Sequence, residues 1–451
     1  MRWAVVIIDS LVFAQSWQSV GGGTDFPLHA LLSWGGHLYV GGRFTTVGGT
    51  ALQAQGIARW TANGWQSIAT PGAGSAGKIH VMTVYRGKII VGGEFTGIGG
   101  TNANNIAAYD PVTHTWSPVG GGVNGEVLAL YVYDGELLVG GNFTRVGSPP
   151  QDQPIAAFAR WDGTTWKAPD PLNPSYALMG APLAFAEYNG KLYLGGLFQA
   201  AYYNQTDKAY LAIWDKATQR ILPAYPMGQE PDNPVYALAV WNNKLYIGGE
   251  FQTIGGVVSP RLAALNGTTY QAVSGSPTSG RIEVLLPTTN GLYVGGNFTS
   301  VGGQTVNRVA LLSANEIWSA LGAGIGPWTV KALALHNGLL YAGGNFTQDG
   351  AGQPLNYIAV WSDAATLQSF SEPLITVQYS PPLLTLTAKT ALQGTFTLSN
   401  CLGQVLHTQT LSLSPHIPET IHLPPLPPGL YLLSLTSHNP TLLSTKIPSL
   451  P

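Results

Sequence analysis

Val235-Tyr-Ala-Leu-Ala-Val-Trp-Asn-Asn-Lys-Leu-Tyr-Ile-Gly-Gly-Glu-Phe251 is the stretch that decides the fold. Val235 to Trp241 reads as an apolar strand, Asn242-Asn243 as a two-residue turn and Lys244 to Gly248 as the antiparallel partner. Asparagine tolerates the positive φ that a type I′ hairpin demands, and other copies place Asp134-Gly135, Asn189-Gly190 and Asn337-Gly338 at the same point. Six more copies of the phrase lie along the chain. The seven glycine doublets begin at Gly41, Gly92, Gly140, Gly195, Gly248, Gly295 and Gly343, at separations of 51, 48, 55, 53, 47 and 48 residues. Each doublet is followed at a fixed offset by Phe44, Phe95, Phe143, Phe198, Phe251, Phe298 or Phe346. A period of about 50 residues built from short strands is the signature of β-propeller blades.

One blade needs four strands. After the hairpin come a variable loop, a third strand such as Gly56–Trp60, a turn, and a fourth such as Trp65–Ile68. The strands are apolar on both faces, as expected where neighbouring blades cover both sides. The doublet reads as close backbone packing between blades and the phenylalanine as a core plug. No helix start and no Lys-Ser/Thr pair follows the doublet, so it is not a phosphate loop.

With these motifs in hand, residues 16–371 resemble the kelch-like propellers, a group that includes the central domain of galactose oxidase. The resemblance rests on the doublet followed by an aromatic, a short turn and a tryptophan, as in Tyr109-Asp-Pro-Val-Thr-His-Thr-Trp116 and Trp161-Asp-Gly-Thr-Thr-Trp166. It implies a seven-bladed ring and carries no activity. Ring closure falls to Ser16-Trp-Gln-Ser-Val20, which matches later fourth strands such as Trp116–Val119 yet precedes the first repeat; Leu367–Phe370 is the rival for that place.

Both ends of the chain read as addresses. Arg2, the apolar run Trp3–Leu11 and Val12-Phe13-Ala14 form an export signal over residues 1–14, with Asp9 its one unfavourable residue; a buried first strand is the alternative. Composition changes near residue 372: from there to Pro451 there are 3 Gly, no Trp, 12 Pro and 19 Leu, which marks a boundary with a linker at Ser371-Glu372-Pro373. Residues 375–451 read as a small β-sandwich. The candidate strands are Leu383–Leu386, Gly394–Ser399, Val405–Leu411, Ile421–Leu423, Leu430–Thr436 and Leu442–Ile447.

Val377-Gln-Tyr-Ser-Pro381, Leu398-Ser-Asn-Cys-Leu-Gly-Gln-Val405, Ile421–Leu426, Pro428-Gly-Leu-Tyr-Leu-Leu-Ser-Leu435 and Lys446-Ile447 follow one another in an order similar to the C-terminal sorting domain of type IX secretion cargo. Gln404 stands where that family usually has a basic residue. The resemblance implies the type IX machinery as a partner, and release or display outside a Gram-negative bacterium.

Composition closes off several functions. With 20 basic and 22 acidic residues in 451, a net charge of −2 leaves no basic surface for nucleic acid. No uninterrupted apolar stretch is long enough to span a bilayer as a helix. The single cysteine, Cys401, lies outside the propeller, so neither a disulfide framework nor a galactose-oxidase-type copper centre is available. The propeller's five histidines (His29, His37, His80, His114 and His336) show no metal-ligand spacing, and no cofactor is expected. One variable position stands out, the residue between each doublet and its phenylalanine: Arg43, Glu94, Asn142, Leu197, Glu250, Asn297 and Asn345. Alternation directs it away from the plug, so the six polar ones are candidates for a binding collar around one mouth of the ring. Otherwise each caps loop amides. Three functions fit: a binding or adhesion module for a glycan or protein, a self-assembling surface protein, and a carbohydrate-active enzyme using Glu94 and Glu250, three blades apart.

Overall fold

A computed structural model describes residues 15–362, apart from 50–51, 70–76, 173–177, 203–204, 209 and 227, and beyond them strands between 375 and 447 and the pair Ile8–Asp9. The chain divides into two compact units, Gln15–Ser362 and Met1–Ala14 with Asp363–Pro451. Strands form all the regular structure among the described residues, and no helix there is long and apolar enough to cross a membrane.

The first unit is a ring of seven antiparallel sheets. The innermost strands are Leu28–Trp34, Lys78–Tyr85, Glu126–Tyr133, Leu178–Tyr188, Val235–Trp241, Ile282–Pro287 and Val330–His336. Each touches the next around the ring, and the seventh touches the first. The repeat builds its blade as its sequence implies. In the fifth, Val235–Trp241 pairs with Lys244–Gly249, then Leu262–Asn266, then Thr269–Ala272. Asn242 and Asn243 take φ of 52° and 58°, the geometry of a type I′ turn.

Glycine doublets set how closely blades approach. A Cβ on the first glycine would strike the innermost strand of the following blade: Gly92 meets Val127 Cγ1 at 2.4 Å, and Gly41 meets Ile79 Cγ2 at 2.7 Å. The second glycine lies against its own blade, where a Cβ on Gly93 would sit 1.9 Å from the Lys78 carbonyl oxygen. The phenylalanines are plugs, from 0 % exposed at Phe251, Phe298 and Phe346 to 4 % at Phe95.

Ser16–Ser19 closes the ring by pairing with Ile358–Ser362 as the outermost strand of the seventh blade. The rival segment Leu367–Phe370 lies outside the described residues. Closure belongs to a larger pattern absent from the expectations above. In every blade one aromatic donor crosses to the carbonyl that ends the preceding blade. Trp65 reaches Gly21 (3.0 Å), Trp116 reaches Ile68 (2.8 Å), Trp166 reaches Gly120 (2.8 Å) and Trp214 reaches Pro169 (2.9 Å). Tyr270 reaches Ala224 (2.8 Å), Trp318 reaches Ser274 (2.8 Å) and Trp17 reaches Leu321 (3.1 Å). Seven such bonds make a clasp around the whole ring.

The variable loops are more ordered than expected. Thr46–Val47 pairs with Leu52–Gln53, Gly97–Ile98 with Thr101–Asn102, Thr253–Ile254 with Val257–Val258 and Ser300–Val301 with Gln304–Thr305. The Gly-Gly pairs between these short strands, Gly48-Gly49, Gly99-Gly100, Gly255-Gly256 and Gly302-Gly303, are all at positive φ. Two-residue strands are too short to show a period, so the sequence pattern hides them.

In the second unit Ile375–Ser380, Leu383–Ala388 and Pro418–His422 form one antiparallel sheet. Leu392–Asn400, Val405–Leu413, Tyr431–Ser437 and Leu442–Ile447 form another, with the two-residue strand Ile8–Asp9 added at its edge. Leu384, Leu386, Phe396, Leu398, Leu411 and Leu413 alternate inward as a sandwich requires. Ile375–Ser380 is one strand more than the sequence suggested. The rest of the expected export signal, the linker at 371–373 and Cys401 lie outside the described residues.

Candidate functional site

Every innermost strand carries a β-bulge at one repeat position, where the register jumps a residue. The bulged residues are His29, His80, Leu128, Leu183, Tyr236, Glu283 and Lys331. Each stands twelve residues before the first glycine of its doublet (29 before 41, 80 before 92, and so on round the ring), and all seven are half-buried. A bulge re-aims a side chain that the pleat would otherwise turn into the sheet. Because innermost strands face the propeller axis, these seven line the channel.

The ring of bulges is uneven. His29 and His80, on adjacent blades, stack with centroids 5.1 Å apart and planes 3° from parallel. Two of the five histidines that look scattered in sequence are thus brought face to face. Burial, then the nearby cations and His80, pushes the His29 imidazole down to about 4. Burial also lowers His80, against the pull of Glu126. Leu128 and Leu183 make the next arc apolar. On the far side Glu283, its side chain 8 % exposed, accepts from Arg281 Nε at 2.5 Å and Lys331 Nζ at 2.9 Å, and Arg281 lies over the Tyr236 ring at 4.8 Å.

The second tier is the position between doublet and phenylalanine. Arg43, Glu94, Asn142, Leu197, Glu250 and Asn297 are exposed and Asn345 is half-buried, while the neighbouring phenylalanines are buried. Most of these side chains do not cap loop amides. Glu94 Oε2 takes Lys78 Nζ at 2.9 Å, Asn142 Nδ2 donates to Glu126 Oε2 at 3.1 Å, and Tyr236 donates its hydroxyl to Glu250 Oε2 at 3.4 Å. Only Asn297 uses its side chain on the backbone, accepting from the Arg281 N–H at 2.6 Å. The loop amides are held instead by Asp25, Asn124 and Asp232, which each accept from two successive N–H groups. Asn345 Oδ1 is buried without a hydrogen-bond partner.

Glu94 and Glu250 serve separate networks. Lys78, by its hydrogen bond and charge, holds the Glu94 carboxyl below the usual range, so it stays ionised. A glycosidic acid needs the opposite shift.

Between the first two blades the collar opens into a cavity of about 550 Å³ lined by Phe26, Arg43, Thr45, Lys78 and Glu94 among others. Phe26 stands fifteen residues before the doublet at Gly41, and Trp328 stands fifteen before Gly343. The same position elsewhere holds Gly77, Gly125, Gly180, Asn233 and Gly280. Phe26 is 49 % exposed and Trp328 63 % exposed, and their blades, first and seventh, are neighbours. Among the described residues Trp328 is the one exposed tryptophan, because the rest pack in the clasp and the blade faces. Aligning the repeats at fixed offsets from the doublet would have revealed both this pair and the bulge ring.

A family model described as "Domain of unknown function (DUF5122) beta-propeller" matches residues 87–111 and 290–315, which run from the hairpin turn into the third strand of the second and sixth blades. The chain thus contains a β-propeller domain, here of seven blades. No curated protein matches it. Among solved structures, "YCF48 bound to D1 peptide" is similar at 9% identity over 82% of this chain and 100% of that one, with a TM-score of 0.48. "Crystal Structure of Mitotic Checkpoint Complex" follows at 13% identity, over 77% and 90%, with a TM-score of 0.46. A DUF3244 family protein with an immunoglobulin-like β-sandwich from Bacteroides vulgatus is 22% identical over 16% of this chain and 82% of its own, with a TM-score of 0.15.

Proposed function

We propose that this chain is a secreted or surface-displayed binding protein whose propeller takes a glycan at the collar mouth. The observation that carries the reading is the pair Phe26 and Trp328, exposed at one repeat position on adjacent blades, with Phe26 lining the Arg43 cavity. Exposed aromatics cost solvation unless something covers them, and concave sites pair apolar surface with a few oriented polar groups. A sugar offers both an apolar C–H face and hydroxyls. The aromatics meet the face, and Arg43, Glu94, Asn142, Glu250, Asn297 and Asn345 supply donors and acceptors.

The two addresses support this setting. Residues 1–14 act as an export signal, and residues 375–451 engage the type IX secretion machinery, which carries the kelch-like propeller to the cell exterior. Deleting residues 372–451 then leaves the protein in the periplasm; export unaffected by the deletion rules the sorting role out. Catalysis fits less well, since Glu94 is tied to Lys78 as a carboxylate. The binding test is a glycan array probed with the full chain and with Phe26→Ala/Trp328→Ala. Binding lost in the double variant supports the mouth as the site. Equal binding by both proteins places it elsewhere.

A further inference from the structure

The sequence shows no metal-ligand spacing, yet folding collects three donors at the inner edge of the mouth. His80 comes from the bulge of the second blade, Glu94 from the collar position of the same blade, and Glu126 from the first residue of the third blade's innermost strand. Their ligand atoms all lie within 4.8 Å of one another. The juxtaposition depends on the bulge. Without the extra residue between Ile79 and Val81, His80 would follow the pleat and lose its place beside Glu126.

Two further observations suit a shared cation. His80 Nε2 is buried and makes no hydrogen bond of good geometry, yet it faces Glu126 Oε1 at 2.8 Å. Buried polar atoms are normally satisfied, and an ion held between imidazole and carboxylate would satisfy both. Glu126 is also braced from behind, since its second oxygen accepts from Asn142 Nδ2 at 3.1 Å, and the flat stack of His29 fixes the plane of the His80 ring. Such supporting contacts are what orient metal ligands.

We propose that His80 Nε2, Glu126 and Glu94 hold a single divalent transition-metal ion at the collar mouth. One imidazole and two carboxylates suit zinc, cobalt, nickel or manganese, and three protein ligands leave positions for water or an exogenous ligand. Metal–ligand bonds of about 2.0–2.2 Å bring the donors slightly closer together than they now lie. Lys78 is the built-in opponent. Its ammonium holds Glu94 Oε2 at 2.9 Å, so an ion arriving at Glu94 must share that carboxylate with a fixed positive charge. The site stands independently of the glycan reading, because it is tested with the metal alone.

The test titrates EDTA-stripped full-length protein with zinc chloride by calorimetry and with cobalt chloride by visible absorption. The expected result is one site per chain, with His80→Ala and Glu126→Gln each weakening affinity about tenfold or more. Lys78→Met strengthens it several-fold, a response that an adventitious surface histidine would not give. His114→Ala leaves it unchanged. His80→Gln serves as a second variant of similar size should His80→Ala unfold. Absence of a stoichiometric site in the wild type, or binding equal in the wild type, His80→Gln and Glu126→Gln, overturns the proposal.

Discussion

The indole N–H of Trp17 donates to the carbonyl oxygen of Leu321, 304 positions along the chain, at 3.1 Å. Both groups are buried, and the bond fastens the N-terminal strand to the sixth blade while that strand pairs with Ile358–Ser362 in the seventh. The first described residues of the propeller thus complete its last sheet. An open ring would leave the edge of Ile358–Ser362 unpaired and the apolar faces of two blades in water.

Removing residues 16–23 should therefore lower the melting temperature markedly. Trp17→Phe, which keeps an aromatic ring and loses the bond, should cost about 1 kcal/mol. Calorimetric melting of both variants checks this, and an unchanged transition after the deletion would remove the closure account.

The doublets make a sharper prediction. Gly92→Ala should destabilise by about 1–3 kcal/mol, because its methyl group would sit 2.4 Å from Val127 Cγ1 on the next blade. Val127→Ala opens that space, so the double variant should lose less than the two single losses combined. Urea unfolding of the four proteins gives the coupling, and simple additivity would mean that the doublet does not set the blade spacing.

A plug removal tests the core itself. Phe346 is 0 % exposed within a cluster that includes Ile325, Val330 and Leu355. Phe346→Ala should cost about 3–5 kcal/mol, read from the urea midpoint.

One histidine predicts a pH dependence. His336 is buried on the seventh blade, with Nδ1 3.0 Å from Ser33 Oγ on the first blade and Nε2 3.2 Å from Asn337 Nδ2. An amide nitrogen only donates, so Nε2 accepts and Nδ1 carries the proton; a second proton would face that amide. Burial, with His37 nearby, holds this imidazole below its ordinary value of 6.5. The folded pKa lies below the unfolded one, so the contribution is complete above about pH 6.5 and is lost as pH falls, when the unfolded chain binds the proton first. His336→Gln should show a smaller loss of stability between pH 7 and 5 than the wild type. An equal loss would acquit this residue.

The parts of the molecule legible in its sequence are those written as identity at a fixed offset. Seven doublets and seven phenylalanines announce the blades, and Ser16–Val20 announces closure by likeness to other fourth strands. The ring of bulged residues was harder to see because its residue types differ from blade to blade. His29, Leu128 and Lys331 share a position and a bulge, and nothing in strand alternation marks a bulge. The repeat tryptophans serve the ring itself: Trp116 and Trp166 spend their N–H groups on neighbouring blades. Phe26 and Trp328, the aromatics left exposed at the mouth, belong to no repeated phrase.

That mouth is the proposed glycan site. The most direct measurement is a calorimetric titration of the best array glycan into the full-length wild type and into Phe26→Ala/Trp328→Ala, with melting temperatures recorded for both. Stacking on two aromatics predicts a loss of affinity of about tenfold or more at an unchanged melting temperature, on the scale of 0.5–1.5 kcal/mol per aromatic contact. An affinity unchanged in the double variant would contradict it.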